Sequence, residues 1–309
     1  MKKTVLLYTK GMAMGAVDVV PGFSGGTVAL ITGIYDKLLA SLAAIPMAFM
    51  LLLRGRIKQA WQACNASFLL VLVLGILTSI LTLARLISYL MSEYPVQLWA
   101  FFFGLVVVSV YLVGREVTHW RANRFVAFAA GLALALCITL AAPMQLSADP
   151  LMLFFAGAVA ICAMILPGVS GSFILVLLGL YPVVLGALKN FDLAVLSVFC
   201  AGCVLGLLSF SKALSWLLAH MRDLTMAFLA GLMLGSLVKV WPWKHTLTWQ
   251  TNRHGESFPL EQVNLWPWQF TEVSGESAHV LMSIVLGCCA VVLVVGMEWL
   301  ARRRQVQEV

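Results

Sequence analysis

The sequence predicts an all-α polytopic membrane protein with an inverted-topology repeat, each half a Pro/Gly-broken re-entrant hairpin plus three transmembrane helices. Three observations carry that expectation. The 309 residues are 62% hydrophobic and only 11% charged, with mean hydropathy +0.98. A soluble domain carries about 25% charged residues, and a core of this size cannot hide so much apolar surface, so lipid is the expected solvent. The apolar residues fall into runs of about 20, the length of a helix that crosses a bilayer. The two halves of the chain also match each other in register.

The elements follow in order. Met1-Lys2-Lys3 before TVLLYT has the look of a signal peptide, but Lys10 interrupts the apolar stretch and no cleavage site follows, so the segment is read as structure. Spans are expected near 66–91, 97–114, 125–142, 193–218, 224–241 and 278–299, with regions 11–42 and 151–188 broken by Pro and Gly. Residues 1–142 form the first repeat and 143–309 the second. The basic segments 54–58, 115–124 and 302–304 and the Lys2/Lys3 end are assigned to the cytoplasm, with both termini. Loops near 92–96 and 143–150 are nearly free of positive charge and fall outside. Each broken region must then begin and end on one side, as a re-entrant hairpin or a tight two-span pair. Irregular backbone at membrane depth survives only where protein or a water-filled cavity surrounds it.

The net charge of +7 is spread over these short clusters, an orientation signal rather than a nucleic-acid surface. Of seven cysteines, Cys200 and Cys203 form a C-x-x-C pair without a second ligand pair; packing is the reading, and neither metal nor cofactor is expected. An insertion near 43–61 holds RGRIKQAWQACN, expected as a basic helix on the inner surface. The outer loop 242–277 follows Trp241 and carries Trp243, Trp266 and Trp268. It is expected to lie on the outer leaflet, being too short for a stable core of its own.

An offset of 146 pairs Gly11 with Gly157, Pro21 with Pro167, Gly22 with Gly168, Ser24 with Ser170, Gly25 with Gly171, Gly33 with Gly179 and Tyr35 with Tyr181. An offset of 127 pairs Gly75 with Gly202, Arg85 with Lys212, Ser88 with Ser215, Phe101 with Phe228, Gly104 with Gly231 and Ser109 with Ser236. The difference of 19 fits the insertion. Three spans per half put the second copy upside down, the plan of secondary transporters that work by alternating access. Duplication retained for stability, or a membrane enzyme, also fits such a repeat.

The breaks read Pro21-Gly22-Phe23-Ser24-Gly25-Gly26-Thr27 and Pro167-Gly168-Val169-Ser170-Gly171-Ser172. Proline ends the first arm, and glycine permits a sharp turn and close approach of a ligand. Ser24, Gly25, Gly26, Thr27, Ser170, Gly171 and Ser172 sit where a second arm begins, with free N–H groups suited to phosphate or carboxylate. A hinge or close helix packing is the alternative. The lysine of a P-loop is missing. Arg85 and Lys212 are ionisable residues on predicted spans, and either flank the phosphate or snorkel to the interface. The inverted plan puts Arg85 toward the outer face and Lys212 toward the inner. Asp18, whose repeat counterpart is Met164, is a candidate carrier of a coupling H⁺ or Na⁺, or else a partner of Lys10 or an interfacial acid.

GAVDVVPGFSGGTVALITGIYDKLL and LPGVSGSFILVLLGLYPVVLGAL resemble the paired motifs of bacterial polyprenyl-phosphate transporters, a resemblance that covers nearly the whole chain. It implies a non-enzymatic carrier in the bacterial cytoplasmic membrane that returns undecaprenyl phosphate for cell-envelope polymer synthesis. The motif positions carry over as Pro21 to Thr27 and Pro167 to Ser172. A polyprenyl-diphosphate phosphatase would need an acid, base or nucleophile set beside the breaks, and no His follows either motif. A small-anion carrier is the second rival.

Overall fold

The computed structural model describes residues 2–19, 24–141, 144, 146–251 and 257–307. It is a helical, multi-pass architecture. The first broken region is α1 (Lys2–Asp18), α2 (Gly25–Ile31) and α3 (Tyr35–Ala43), followed by α4 (Ile45–Leu53) and α5 (Ile57–Ala63). Three long helices come next: α6 (Ala66–Glu93), α7 (Pro95–Arg115) and α8 (Ala122–Leu140). The second broken region is α9 (Pro150–Ile165), α10 (Gly171–Leu177) and α11 (Tyr181–Lys189), followed by α12 (Leu193–His220) and α13 (Arg222–Ser236). A hairpin of β1 (Lys244–Thr251) and β2 (Ser257–Asn264), a short α14 (Pro267–Ser274) and α15 (Val280–Gln307) complete the chain.

Among the described residues, five helical stretches are long and apolar enough to cross a membrane: Tyr35–Leu53, Ala66–Leu83, Pro95–Arg115, Ala122–Leu140 and Leu193–His220. Four of them fall on expected spans. The stretch Tyr35–Leu53 differs from expectation, because α3 and α4 run on into one apolar stretch where an arm and a surface insertion were expected. The expected span 224–241 is the 15-residue α13 plus a turn. It lies in the core, with Met226, Ala227, Leu229, Ala230, Leu232 and Met233 no more than 1% exposed. Walled by protein, it needs no full hydrocarbon thickness of its own. In the second broken region α10 and α11 bend by 113° at Leu178–Leu180. Gly33 (φ +70) and Gly179 (φ +73) make matching left-handed turns before the third helix of each region, a backbone state that glycine adopts without a steric penalty.

Glycine also sets the helix crossings. A Cβ on Gly11 would fall on the Leu72 carbonyl and one on Gly75 on the Tyr8 carbonyl, where α1 crosses α6. In the same way Gly157 meets Phe199 and Gly202 meets Phe154, where α9 crosses α12. Gly131 and Gly231 lie against the carbonyls of Phe228 and Phe128 between α8 and α13, and Gly104 lies on Gly287 between α7 and α15. Small residues let backbones approach where hydrophobic segregation from lipid gives little drive. Cys203 and Cys162 serve the α9–α12 crossing, with Sγ atoms 3.4 Å from the Gly157 carbonyl and 3.6 Å from the Gly206 carbonyl.

The segment after Trp241 corrects an expectation. It folds, rather than lying loose, because two eight-residue strands pair antiparallel and the tryptophans anchor them. Trp243 and Phe270 bury against Val96 and Ala278, so the segment borrows its core from the start of α7. Trp241 Nε1 donates to the Leu265 carbonyl and Trp243 Nε1 to the Ala278 carbonyl, each at 2.8 Å. Trp266 and Trp268 stack at 5.3 Å and stay more than half exposed, in keeping with a headgroup position.

Gly231→Ala should therefore destabilise the protein by about 1–3 kcal/mol through overpacking, whereas Gly186→Ala on α11, where a Cβ meets nothing within 4 Å, should not. Thermal unfolding of the purified protein in detergent reads both.

Candidate functional site

The two breaks meet. Ser24, with extended backbone (φ −130°, ψ 129°), caps α2: its Oγ accepts from Gly26 N at 3.1 Å and donates to the Met164 carbonyl of the other half at 2.7 Å. Gly168 N donates to Thr27 Oγ1 at 3.1 Å, and the Tyr35 hydroxyl donates to the Ile165 carbonyl at 3.1 Å. A Cβ on Gly26 would lie 2.5 Å from the same Ile165 carbonyl, so glycine is required for the halves to touch. Ser24, Thr27 and Tyr35 are buried to within 1% of complete. These bonds satisfy backbone groups that the breaks release at a depth where water is scarce.

In the second break Ser170 Oγ and Ser172 Oγ are 2.9 Å apart. Gly168 has φ +87, and a Cβ there would lie 3.0 Å from Met233 Cα. Gly171 closes on the Ala160 carbonyl as α10 folds back on α9. Pro167 occupies the turn that ends α9, while Pro21 and Gly22 lie outside the described residues.

Asp18 is neither an ion-pair partner of Lys10 nor a surface acid. Its Oδ1 accepts from Gly25 N at 2.6 Å, and a Cβ on Gly25 would strike its carboxylate. Lys10 instead donates to the Thr32 carbonyl at 2.6 Å, at the far end of α2. The acid thus seats itself on the first N–H of the second arm, where an incoming anion was expected.

Arg85 and Lys212 were expected either to flank the phosphate or to snorkel to the interface. Both are exposed on the flanks of α6 and α12, and neither lines the cavity at the breaks. A small cavity of about 10 Å³ at the second break is lined by Ala135, Ile138, Thr139, Gly168, Val169, Ser170, Phe173 and Lys239. The cation beside the break is therefore Lys239, whose Nζ lies 4.2 Å from the Phe173 ring centroid. Lys244, from the hairpin, donates to the Lys239 carbonyl and stands 3.8 Å above the Trp99 ring. Burial first, and Lys239 second, hold the Lys244 ammonium well below its ordinary pKa. A lysine inside an apolar run and another five residues on, with no acid between them, was the available signal.

The end of the bundle away from the hairpin is tied by ions. Arg222 reaches Asp36 of α3 at 2.7 Å and Glu116, at the end of α7, at 3.5 Å. Asp223 accepts from Thr118 Oγ1 at 2.7 Å and pairs with Arg124 at 3.2 Å, and Arg115 pairs with Glu298.

Paired broken helices in contact within a multi-pass helical bundle define a membrane protein with irregular backbone and buried hydroxyls where its two broken regions meet. The VCA0040-like family model, described as undecaprenyl phosphate translocase-like, matches residues 14–258, and the chain belongs to that family. A polyprenyl-phosphate transporter of Vibrio cholerae is 48% identical over 297 residues, covering 96% of each chain. A polyprenyl-phosphate transporter of Staphylococcus aureus is 33% identical over 251 residues, covering 75% of this chain and 84% of that protein. No solved structure matches.

Asp18→Ala should remove the acceptor for Gly25 N and lower stability by about 1 kcal/mol, while Asp18→Asn, which keeps an acceptor oxygen, should unfold near the wild-type temperature. Equal losses in both variants would mean that the charge, not the hydrogen bond, holds the arm.

Proposed function

We propose that this protein translocates a polyprenyl phosphate, undecaprenyl phosphate in the bacterial cytoplasmic membrane, with the headgroup passing between the two breaks and the tail remaining in lipid. The observation that carries the reading is the contact of the breaks through Ser24, Thr27 and Gly168, which puts hydroxyls and irregular backbone from both halves in one place. A phosphate loses hydration on entering the bilayer and needs such polar groups along its path. Family membership and the two polyprenyl-phosphate transporters support the substrate class.

The inverted repeat belongs to this proposal. Its support is that crossings recur at the offsets of the sequence: Gly11 on Leu72 answers Gly157 on Phe199, and Gly75 on Tyr8 answers Gly202 on Phe154. The basic loops assign the ion-paired end to the cytoplasm and the hairpin end to the outside. The Arg222 cluster then joins the halves on the inner side and is a gate for alternating access. Each exposed pair contributes little singly, about 0–1 kcal/mol, so such a gate can open at ambient energies. Coupling to H⁺ or Na⁺ through Asp18 completes the proposal; one charge crossing 100 mV is worth about 2.3 kcal/mol.

Proteoliposomes holding the purified chain should move undecaprenyl phosphate between leaflets, and Ser24→Ala with Ser170→Ala should fold but move it at least about tenfold more slowly, the loss expected for removed hydrogen bonds to a charged group. A wild type that is inert with and without an ion gradient overturns translocation; phosphate release from the diphosphate would point to the phosphatase instead. Under the gate reading, Asp36→Cys with Arg222→Cys, in a chain whose native cysteines are replaced, should lose transport when bridged by a bifunctional thiol reagent. Transport should return when a reducible bridge is cleaved, and undiminished transport by the bridged protein excludes a gate there.

A further inference from the structure

We propose that Lys239, with Ser170 and Ser172, forms a phosphate-monoester subsite on the hairpin side of the second break. This rests on the translocation reading above and gives it a point of entry. Lys239 lines the cavity together with Gly168, Ser170 and Phe173. Among the described residues it makes no ion pair; its ammonium faces the Phe173 ring at 4.2 Å. Lys244 stands beside it, donating to the Lys239 carbonyl, and it too lacks a carboxylate partner among the described residues. A lysine ammonium drawn partly out of water without an acid is costly, and an arriving anion offsets that cost.

The hydroxyls suit the same ligand. Ser170 and Ser172 are paired with each other at 2.9 Å, and each hydroxyl can rotate to donate outward. A phosphate monoester offers three terminal oxygens, enough for one ammonium and two hydroxyls at once, and lysine serves such groups as a mobile point charge. The cavity of about 10 Å³ has room only for a water-sized group. The ligand therefore enters as the lysine leaves the ring of Phe173. The subsite is one-sided: at the repeat offset of 127 Lys239 corresponds to Leu112, a buried apolar residue. With the hairpin outside, the cation receives headgroups from the outer leaflet alone.

The test uses the full chain in lipid nanodiscs, with farnesyl phosphate, farnesol and inorganic phosphate as probes. Lysine acylation read by mass spectrometry should show Lys239 protected by farnesyl phosphate and not by farnesol, with exposed Lys58 unaffected by either. Lys239→Gln should weaken farnesyl phosphate binding about 10–100-fold, the loss of a hydrogen-bonded charge, and Lys239→Arg should retain most of it. Equal protection by farnesol, or protection by inorganic phosphate alone, overturns the lipid-headgroup subsite, as does unchanged binding by Lys239→Gln. Should that variant not fold, the labelling of the wild type decides by itself. Leaflet exchange separates the two readings. A wild type that protects Lys239 but moves no lipid sinks translocation and keeps the subsite, whereas a Lys239→Gln protein that transports at the wild-type rate sinks the subsite and keeps translocation.

Discussion

The structure depends on one constraint: a helix broken inside a membrane releases backbone N–H and C=O groups that lipid cannot satisfy. Here each break answers the other. Met164 and Ile165, at the end of α9, give their carbonyls to Ser24 and Tyr35, and the amide of Gly168 is taken by Thr27. Neither break is satisfied alone, so the two halves are held in register at their least regular point. The glycines follow from this. Gly26 admits the Ile165 carbonyl, and Gly168 takes a left-handed φ with Met233 at its back. Beyond the breaks, α13 supplies the packed wall on which the second one rests.

The same constraint places the polar residues where chemistry can use them. A serine that caps a broken arm is already desolvated and oriented. It can exchange a backbone partner for a phosphate oxygen without first being stripped of water. Under the proposed translocation, binding and structural roles are not alternatives at Ser24, whose hydroxyl already serves Gly26 N and the Met164 carbonyl. The hydrogen bonds that hold the breaks together are the ones a phosphate would replace under that proposal, which would link occupancy to separation of the breaks.

Much of this was legible in the sequence. Four long helices match apolar runs to within a few residues, because a run of hydrophobic residues between charged loops has one solution in lipid. The correspondence of the breaks was in the register of Pro167, Ser170 and their counterparts, whereas their contact is seen only in the structure. What the sequence obscured was which charge turns inward. Arg85 and Lys212 drew attention as symmetry partners, but they sit on the exposed flanks of α6 and α12, where a long side chain reaches the interface. Lys239 has a leucine as its counterpart, so a search for symmetry passes over it. The hairpin was hidden for another reason. Its 36 or so residues are too few for a core of their own, and the start of α7, distant in sequence, supplies apolar surface at Val96.

The departures from the sequence repeat are as informative as the matches. At the first break a carboxylate, Asp18, occupies the first amide of the second arm; at the second the counterpart is Met164 and the neighbouring charge is the cation Lys239. One break thus carries its own anion and the other lacks one. In a perfectly symmetric molecule the two access states would be equal in energy, and a carrier would have no preferred resting side. Under the proposed alternating access, an acid at one break and a cation without a carboxylate partner among the described residues at the other would remove that degeneracy. Under that proposal such a bias would favour one resting side, with the Arg222 pairs holding together the end opposite the hairpin. A phosphate that neutralises Lys239 would cancel the bias at the moment of loading, which is when a carrier needs its two states to approach equal energy.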